Sequence, residues 1–319
     1  MSSKIALIIG ITGQDGAYLS RYLIQKGFKV IGTSRDSSQC NKENLKKLNI
    51  ENDINLISLS ASDYRNVIDV ITKVSPTHIY NLSGMTSVGL SYNLPIECLN
   101  SIVSACLNIL EALRFTQSKA RFFNACSSEC FGNISTGSAN EETVFTPKSP
   151  YGVAKSAAYW LVSSYRESYG IFCCNGILGN HESPLRAERF VTQKIISKAK
   201  LIYEGKSKEL VLGNLDIIRD WGWADEYVKA IHLILNSEEP KDYIISTGKS
   251  YSLSDFVKNT FDFLDLEVNK YLKIDPNLIR PSDIKRSSLN PNKIYKNLGW
   301  KAKYDLRNIV EFMINEKFD

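Results

Sequence analysis

Short apolar runs alternate with longer stretches of helical periodicity through the first half of the chain. The runs fall at 5–9, 29–33, 54–59, 78–81, 121–124 and 172–178. Helical patterns lie between them, near 16–27, 63–74, 95–115 and 151–169. Strands that are continuously apolar rather than alternating, and that are separated by helices, predict a parallel sheet buried on both faces. The expected fold class is α/β, a doubly wound Rossmann sheet with ligands at the carboxyl ends of its strands.

Beyond residue 179 the alternation loosens. Residues 180–189 are polar, contain Pro184 and predict a loop. A helix is expected near 190–204, strands at 209–212 and 242–245, and helices near 253–264, 291–298 and 305–316. No repeat, low-complexity tract or long linker interrupts the chain. The expected division is a dinucleotide-binding domain over 1–178, to which 213–246 returns. A smaller α/β substrate-binding domain would take 179–212 and 247–319.

Composition narrows the class without naming a function. With 43% hydrophobic and 23% charged residues, the 319-residue chain is too apolar for disorder and large enough for a core without staples. A net charge of +5 is spread without a Lys/Arg run, so a nucleic-acid partner is not expected. Seven cysteines, odd in number and without a CxxC pair, suggest reduced thiols and a cytoplasmic location. No apolar stretch of about 18 residues stands out, so no membrane partner is expected either. The three histidines form no metal-ligand pattern, and His181-Glu182 does not extend to HExxH.

The first chemical signal is Gly10-Ile11-Thr12-Gly13-Gln14-Asp15-Gly16, directly after the first strand and opening the first helix. Glycines there permit a tight turn and close approach of a pyrophosphate to a helix N-terminus. A tight βα turn without a ligand is the alternative. At the end of the second strand, Gly32-Thr-Ser-Arg35-Asp36-Ser-Ser38 puts a cation where a 2′-phosphate would sit. NADP is favoured, with NAD left possible by Asp36.

The second signal is Tyr151-Gly-Val-Ala-Lys155 at the start of a predicted helix, a spacing that puts both side chains on one face. A neighbouring ammonium favours the phenolate, making Tyr151 a usable acid/base. Upstream, Cys126-Ser127-Ser128-Glu129-Cys130 follows a buried strand. Hydroxyls there suit a sugar oxygen undergoing oxidation. Glu129 adds a second acid/base, able to take a carbon-bound proton beside a new ketone; a solvated loop carboxylate is the alternative. Cys126 and Cys130 are expected to be packing residues.

These motifs resemble the extended short-chain dehydrogenase/reductases. The segments Cys174-Asn-Gly-Ile-Leu-Gly-Asn-His-Glu-Ser-Pro184, Phe190-Val-Thr-Gln-Lys194 and Leu212-Gly-Asn-Leu-Asp-Ile-Ile-Arg-Asp-Trp-Gly222 narrow this. They are similar to the GDP-mannose 4,6-dehydratases, nearly end to end. The resemblance implies an NADP reduced and reoxidised within one turnover. In that scheme Tyr151 takes the C4 hydroxyl proton as hydride leaves C4, while Ser127 holds the same oxygen and Lys155 supports Tyr151. Glu129 then removes the C5 proton, water leaves from C6, and hydride returns to C6. The resemblance also places Leu82, Ser83, Thr86, His181 and Arg186, with Arg35, at cofactor positions. It places Thr86, Ser128, Asn180, Val191, Lys194, Arg219, Arg280 and Asp283 at the sugar nucleotide, whose diphosphate suits the cations. A homodimer or homotetramer is implied as well.

Departures from the family pattern bear on the sugar. Ser83-Gly-Met-Thr-Ser87 stands where the family has Ala-Ala-Gln-Ser-His, Leu185 replaces an arginine, and Trp223 replaces a histidine. GDP-N-acetylglucosamine or a GDP-heptose is therefore entertained beside GDP-mannose. A 4-oxidoreductase or epimerase on the same fold is the alternative activity, and Glu129 argues against it. A non-catalytic dinucleotide-binding regulator would be expected to lack at least one of Ser127, Tyr151 and Lys155.

Overall fold

The computed structural model describes residues 4–278 and 282–318; Arg280, expected at the diphosphate, lies outside them. Six strands arise where the apolar runs predict them: β1 (Ile5–Ile9), β2 (Lys29–Ser34), β3 (Asn55–Ser58), β4 (His78–Asn81), β5 (Arg121–Ser127) and β6 (Cys173–Leu178). The short strands β7 (Asn180–Glu182), β8 (Leu210–Leu212), β9 (Ile218–Arg219) and β10 (Trp221–Trp223) follow, then β11 (Tyr243–Ile245), β12 (Tyr251–Ser252) and β13 (Leu272–Ile274). Seven form one parallel sheet in the order β11-β6-β5-β4-β1-β2-β3.

Burial on both faces accounts for the continuous apolar runs. Ala6 and Ile8 of β1 enter one core, Leu7 and Ile9 the other. The first core is covered by α1 (Gln14–Gln25), which carries α2 (Glu43–Lys47) near its start. The second is covered by α3 (Tyr64–Val74), then α4 (Val88–Asn93), α5 (Pro95–Leu99), α6 (Ala105–Phe115) and α7 (Pro150–Tyr169). Asp63 starts α3 by accepting from the N–H groups of Arg65 and Asn66, and Ser75 in the left-handed region ends it.

The helix expected over 95–115 forms, but Asn100–Ser104 widens into a π turn between α5 and α6. This 21-residue stretch contains an 18-residue window of mean hydropathy 1.4, enough by length and composition to cross a membrane, contrary to expectation. Its inner face, including Cys98, Ile102, Cys106, Ile109 and Leu113, is core against the sheet. Polar Asn100, Ser101, Ser104 and Asn108 interrupt the run, which is why it does not stand out as a continuous apolar stretch.

A second body forms from α8 (Val191–Tyr203), α10 (Leu253–Phe263), α11 (Val268–Tyr271) and α13 (Leu306–Ile314), while α9 (Ala224–Leu235) and α12 (Asn292–Leu298) pack on the first, where Ile294 enters the core. Ile195, Trp221, Trp223, Phe256 and Phe312 make the core of the second. The return of α9 onto α1, and of β11 beside β6, completes the sheet layer. Residues 180–182, expected as loop, pair with β10 as strand β7. Their polar side chains hide the strand from pattern reading, although it pairs with the apolar Trp221-Gly222-Trp223.

Candidate active site

The glycine loop sits where β1 gives way to α1, and its three glycines answer different demands. Gly10 has φ +91°, and a Cβ there would lie 3.0 Å from the Leu82 carbonyl. A Cβ on Gly16 would come within 2.4 Å of the Gly10 carbonyl oxygen and 2.6 Å of the Ile11 Cα. Gly13 is unlike both. It is exposed, has φ −72°, and its Cβ would meet only the Gly10 oxygen at 3.4 Å. The fold itself does not require glycine at 13, and no side chain caps α1 there. A bare helix N-terminus beside a position kept free of Cβ fits a close-lying diphosphate.

Asp15, Gln14 and His181, expected at the cofactor, are brought together as a clamp. His181 Nε2 lies 2.9 Å from both Asp15 oxygens, and its Nδ1 donates to the Gly179 carbonyl at 2.8 Å. Both partners only accept, so the ring carries two protons. Burial alone would lower the imidazole pKa, but the Asp15 charge raises it. Asp15, which burial would raise, is held at about 2 by His181. Gln14 Nε2 donates to the His181 carbonyl at 3.1 Å, and Ser183 Oγ donates back to Gln14 Oε1 at 2.8 Å. The His181 ring stacks on Tyr227 at 4.7 Å. Beside the clamp, Arg186 pairs with buried Glu182 at 3.3 Å and lies 3.8 Å from the Phe190 ring centroid.

At the tip of β2, Arg35 is exposed. The neighbouring Asp36 carboxylate turns into its own loop, accepting from the Ser38 N–H at 2.8 Å and the Ser38 hydroxyl at 2.6 Å. Ile11 is buried, Thr12 half-buried, and the Thr12 carbonyl accepts from Asn44 Nδ2 at 3.0 Å. After β4, the Leu82 N–H donates to the Ile9 carbonyl at 2.9 Å and Ser83 Oγ to Asn81 Oδ1 at 2.7 Å. Thr86 is exposed, with its hydroxyl 3.3 Å from Arg189 Nη2.

The catalytic candidates converge from β5 and α7. Ser127 ends β5, its Oγ accepting from the Glu129 N–H at 3.2 Å and hydrogen-bonding Tyr151. Ser128, Glu129 and Cys130 follow in a single 3-10 turn, with Ser128 buried and Glu129 half-buried. Pro150 is the first residue of α7, and the Ser149 side chain caps it by accepting from the Gly152 N–H at 3.0 Å. A Cβ on Gly152 would stand 2.9 Å from the Glu129 carbonyl oxygen, so glycine there lets the turn rest on the helix. Lys155 is buried and donates to the Ala125 carbonyl at 2.6 Å, with Nζ 5.8 Å from the Tyr151 ring centroid. Burial raises Tyr151, an effect opposed by the Ser127 hydrogen bond and reinforced by the Glu129 charge. Burial lowers Lys155, so the two groups move apart and Tyr151 rests as the phenol rather than the expected phenolate.

Sequence reasoning missed two supports. Ser91 accepts from the Tyr151 N–H at 3.3 Å, anchoring the first turn of α7. Asn81, Asn124 and Asn175 form a buried amide ladder across β4, β5 and β6, with steps of 3.1 and 3.0 Å. The ladder's only sequence signal is an asparagine in each of three apolar strands.

The remaining expected groups lie on the second body. Val191 opens α8, which has no side-chain cap, and Asn180 begins β7. Lys194 Nζ donates to the Val211 carbonyl at 2.8 Å. Arg219 is buried, donates to the Ile284 carbonyl at 2.8 Å and lies 3.5 Å from Asp283 Oδ1. Of the departures from the family pattern, Ser87 caps α4 by accepting from the Leu90 N–H. Met85 packs against the sheet core, while Leu185 and Trp223 are buried in the two bodies' cores.

Residues 7–313 match the family described as GDP-mannose 4,6 dehydratase. GDP-mannose 4,6 dehydratase 2 of Arabidopsis thaliana is 38% identical, over 99% of this chain and 87% of that protein. The GDP-mannose 4,6-dehydratase of Vibrio cholerae serotype O1 is 37% identical, over 98% of this chain and 93% of that protein. Among solved structures, a UDP-glucose 4-epimerase of Thermus thermophilus in complex with NAD superimposes with a TM-score of 0.85 at 22% identity, covering 98% of both chains. That last likeness speaks to the fold alone, which epimerases and dehydratases share. The sequence match decides between them: the chain belongs to the GDP-mannose 4,6-dehydratase family, hydro-lyases of GDP-sugars.

Proposed function

We propose that the protein converts a GDP-hexose into the GDP-4-keto-6-deoxyhexose with loss of water, using a nicotinamide dinucleotide on the glycine cradle. The observation that carries this reading is a second acid/base, Glu129, two residues from Ser127 and within electrostatic reach of Tyr151. A hydroxyl pair alone would suffice for chemistry at C4. The carboxylate adds the group needed at C5.

Gly10 to Gly16, Leu82 and Ser83 would hold the dinucleotide, with Tyr151 and Lys155 beside its reactive end. Bound there, it supplies a hydride acceptor for C4 and a hydride donor for C6. Tyr151 accepts the proton of the C4 hydroxyl, and Ser127 hydrogen-bonds the same oxygen. The C4 ketone acidifies the C5 proton, which Glu129 removes. The C6 hydroxyl departs as water with the proton Glu129 took from C5, and when C6 has received hydride the proton held on Tyr151 passes to C5, so the hexose loses one water and both residues are restored. Lys194, Arg219 and the open N-terminus of α8 are the groups for the GDP diphosphate, with Thr86 and Ser128 nearer the sugar.

Exposed Arg35 beside the self-engaged Asp36 carboxylate supports NADP over NAD. Mass measurement of the dinucleotide released on denaturation identifies it. We place the protein in the cytoplasm, a reading supported by its seven free thiols. The division of labour in this reading puts the dinucleotide on 1–178 with 213–246, and the sugar nucleotide on the rest.

The test is mass spectrometry of products from GDP-mannose, GDP-N-acetylglucosamine and a GDP-heptose. A product lighter by one water is expected. Glu129→Gln is expected to lower the dehydration rate roughly a hundredfold to ten-thousandfold. Dehydration at the normal rate in that variant would refute the assignment.

A further inference from the structure

Two thiols inside this site have no part in the dehydration. Cys126 is the next-to-last residue of β5 and Cys130 lies in the turn that follows, with Ser127, Ser128 and Glu129 between them. Their sulfurs are 3.5 Å apart. With Phe131, Tyr159, Ile177 and Leu289 they line a small apolar core beneath the turn. Each sulfur also reaches the catalytic helix: Cys126 Sγ lies 3.8 Å from the Lys155 carbonyl and Cys130 Sγ 3.8 Å from that of Gly152.

We propose that Cys126 and Cys130 form a reversible oxidation site, at which hydrogen peroxide closes a disulfide that deforms the Ser127–Glu129 turn and halts catalysis. The consequence for activity rests on the catalytic roles assigned to Ser127 and Glu129. The Cys130 thiolate attacks one peroxide oxygen; the O–O bond breaks and hydroxide leaves, giving a sulfenic acid. The Cys126 sulfur then attacks the Cys130 sulfur, the S–O bond breaks, and hydroxide takes up the thiol proton as water. The two thiols together lose two electrons and two protons, and one peroxide becomes two waters. Burial pushes Cys126 upward, while its hydrogen bond to Cys130 and the nearby Lys155 ammonium favour charge on Cys130.

Geometry supplies both feasibility and consequence. The sulfurs must close from 3.5 Å to about 2.05 Å, a short movement. Only three residues separate them, so the movement is taken up where Ser127 meets both Tyr151 and the Glu129 N–H. A loop this small gains little from closure entropy, which keeps the disulfide reducible. Both thiols are buried, so oxidation waits on local opening of the turn.

Trypsin releases residues 122–148 as one peptide, between Arg121 and Lys148, with no other cysteine. The holoenzyme is treated with hydrogen peroxide, its remaining thiols are alkylated after denaturation, and this peptide is weighed. The expected peptide is unalkylated and two hydrogen masses lighter than the unalkylated reduced form. Its fraction should track the loss of kcat, and dithiothreitol should restore both the thiols and the rate. Cys126→Ser and Cys126→Ala should each abolish the peroxide sensitivity, whereas Cys40→Ser should keep it. Two alkylated cysteines in the peptide of an inactivated enzyme would overturn the proposal, as would full activity with the disulfide formed. If the disulfide forms but untreated enzyme dehydrates no GDP-sugar, the functional reading fails and the thiol chemistry stands.

Discussion

An imidazole held between a carbonyl and a carboxylate favours its doubly protonated form, and His181 is so held. The pair has a working range that follows from the signs of its shifts. Asp15 titrates at about 2 when folded, against about 3.9 for a free aspartate. Its contribution to stability is therefore complete above about pH 4 and drains away as pH falls through about 2. His181 is raised, so its contribution is complete below about pH 6.5 and is lost as pH rises through its folded value. Denaturant unfolding from about pH 5 to about pH 9 should show stability falling on the alkaline side. His181→Asn should flatten that fall. Parallel curves for the two proteins would mean the clamp contributes nothing. The sequence marks His181 only through family resemblance. Its action through Asp15 depends on a contact between positions 166 residues apart, which no local pattern encodes.

At the scale of elements, the glycine loop separates structural from functional glycines. Gly16→Ala forces a Cβ to within 2.4 Å of backbone, which places its cost at or beyond the upper end of about 1–3 kcal/mol. Gly13→Ala meets only ordinary contact and should cost less than about 1 kcal/mol. It should nonetheless weaken dinucleotide binding, because its methyl group occupies the mouth of α1. Thermal unfolding and cofactor content, measured on both variants, check the contrast; normal cofactor content in Gly13→Ala would contradict it. The strands of the main sheet and the long helices were legible because burial on both faces imposes continuous apolar runs. The three-residue strand β7 was not, since Asn180, His181 and Glu182 are polar, His181 being paired with distant Asp15 and Glu182 with Thr192. The meeting of Ser127, Glu129, Tyr151 and Lys155 was legible because they lie at a strand end and a helix start, the turn after β5 resting on α7. Ser91 was not, because its part is to receive one backbone N–H from α7.

At the scale of the whole molecule, α5 packs against α7, and their outer sides expose Ile96, Leu99, Val153 and Trp160. Trp160 is 60% exposed and Ile96 73%, a concentration of apolar surface that suits a second copy of the chain. Sedimentation should find a homodimer or homotetramer, and Trp160→Glu should shift it toward monomer. A monomeric wild-type protein at micromolar concentration would refute this.

The chain's path has a further consequence. Arg21 on α1 pairs with Asp225 on α9 at 3.0 Å and donates to the Phe318 carbonyl at 2.5 Å. The parallel sheet likewise takes its last strand from residues 243–245. During synthesis, the first helix therefore emerges long before the residues that cover it. A nascent chain halted after residue 178 exposes the apolar flank of α1 and an unpaired edge on β6. Assembly of the first body is thus tied to synthesis of α9, β11 and Phe318, and until they emerge its apolar flank stays open to wrong association.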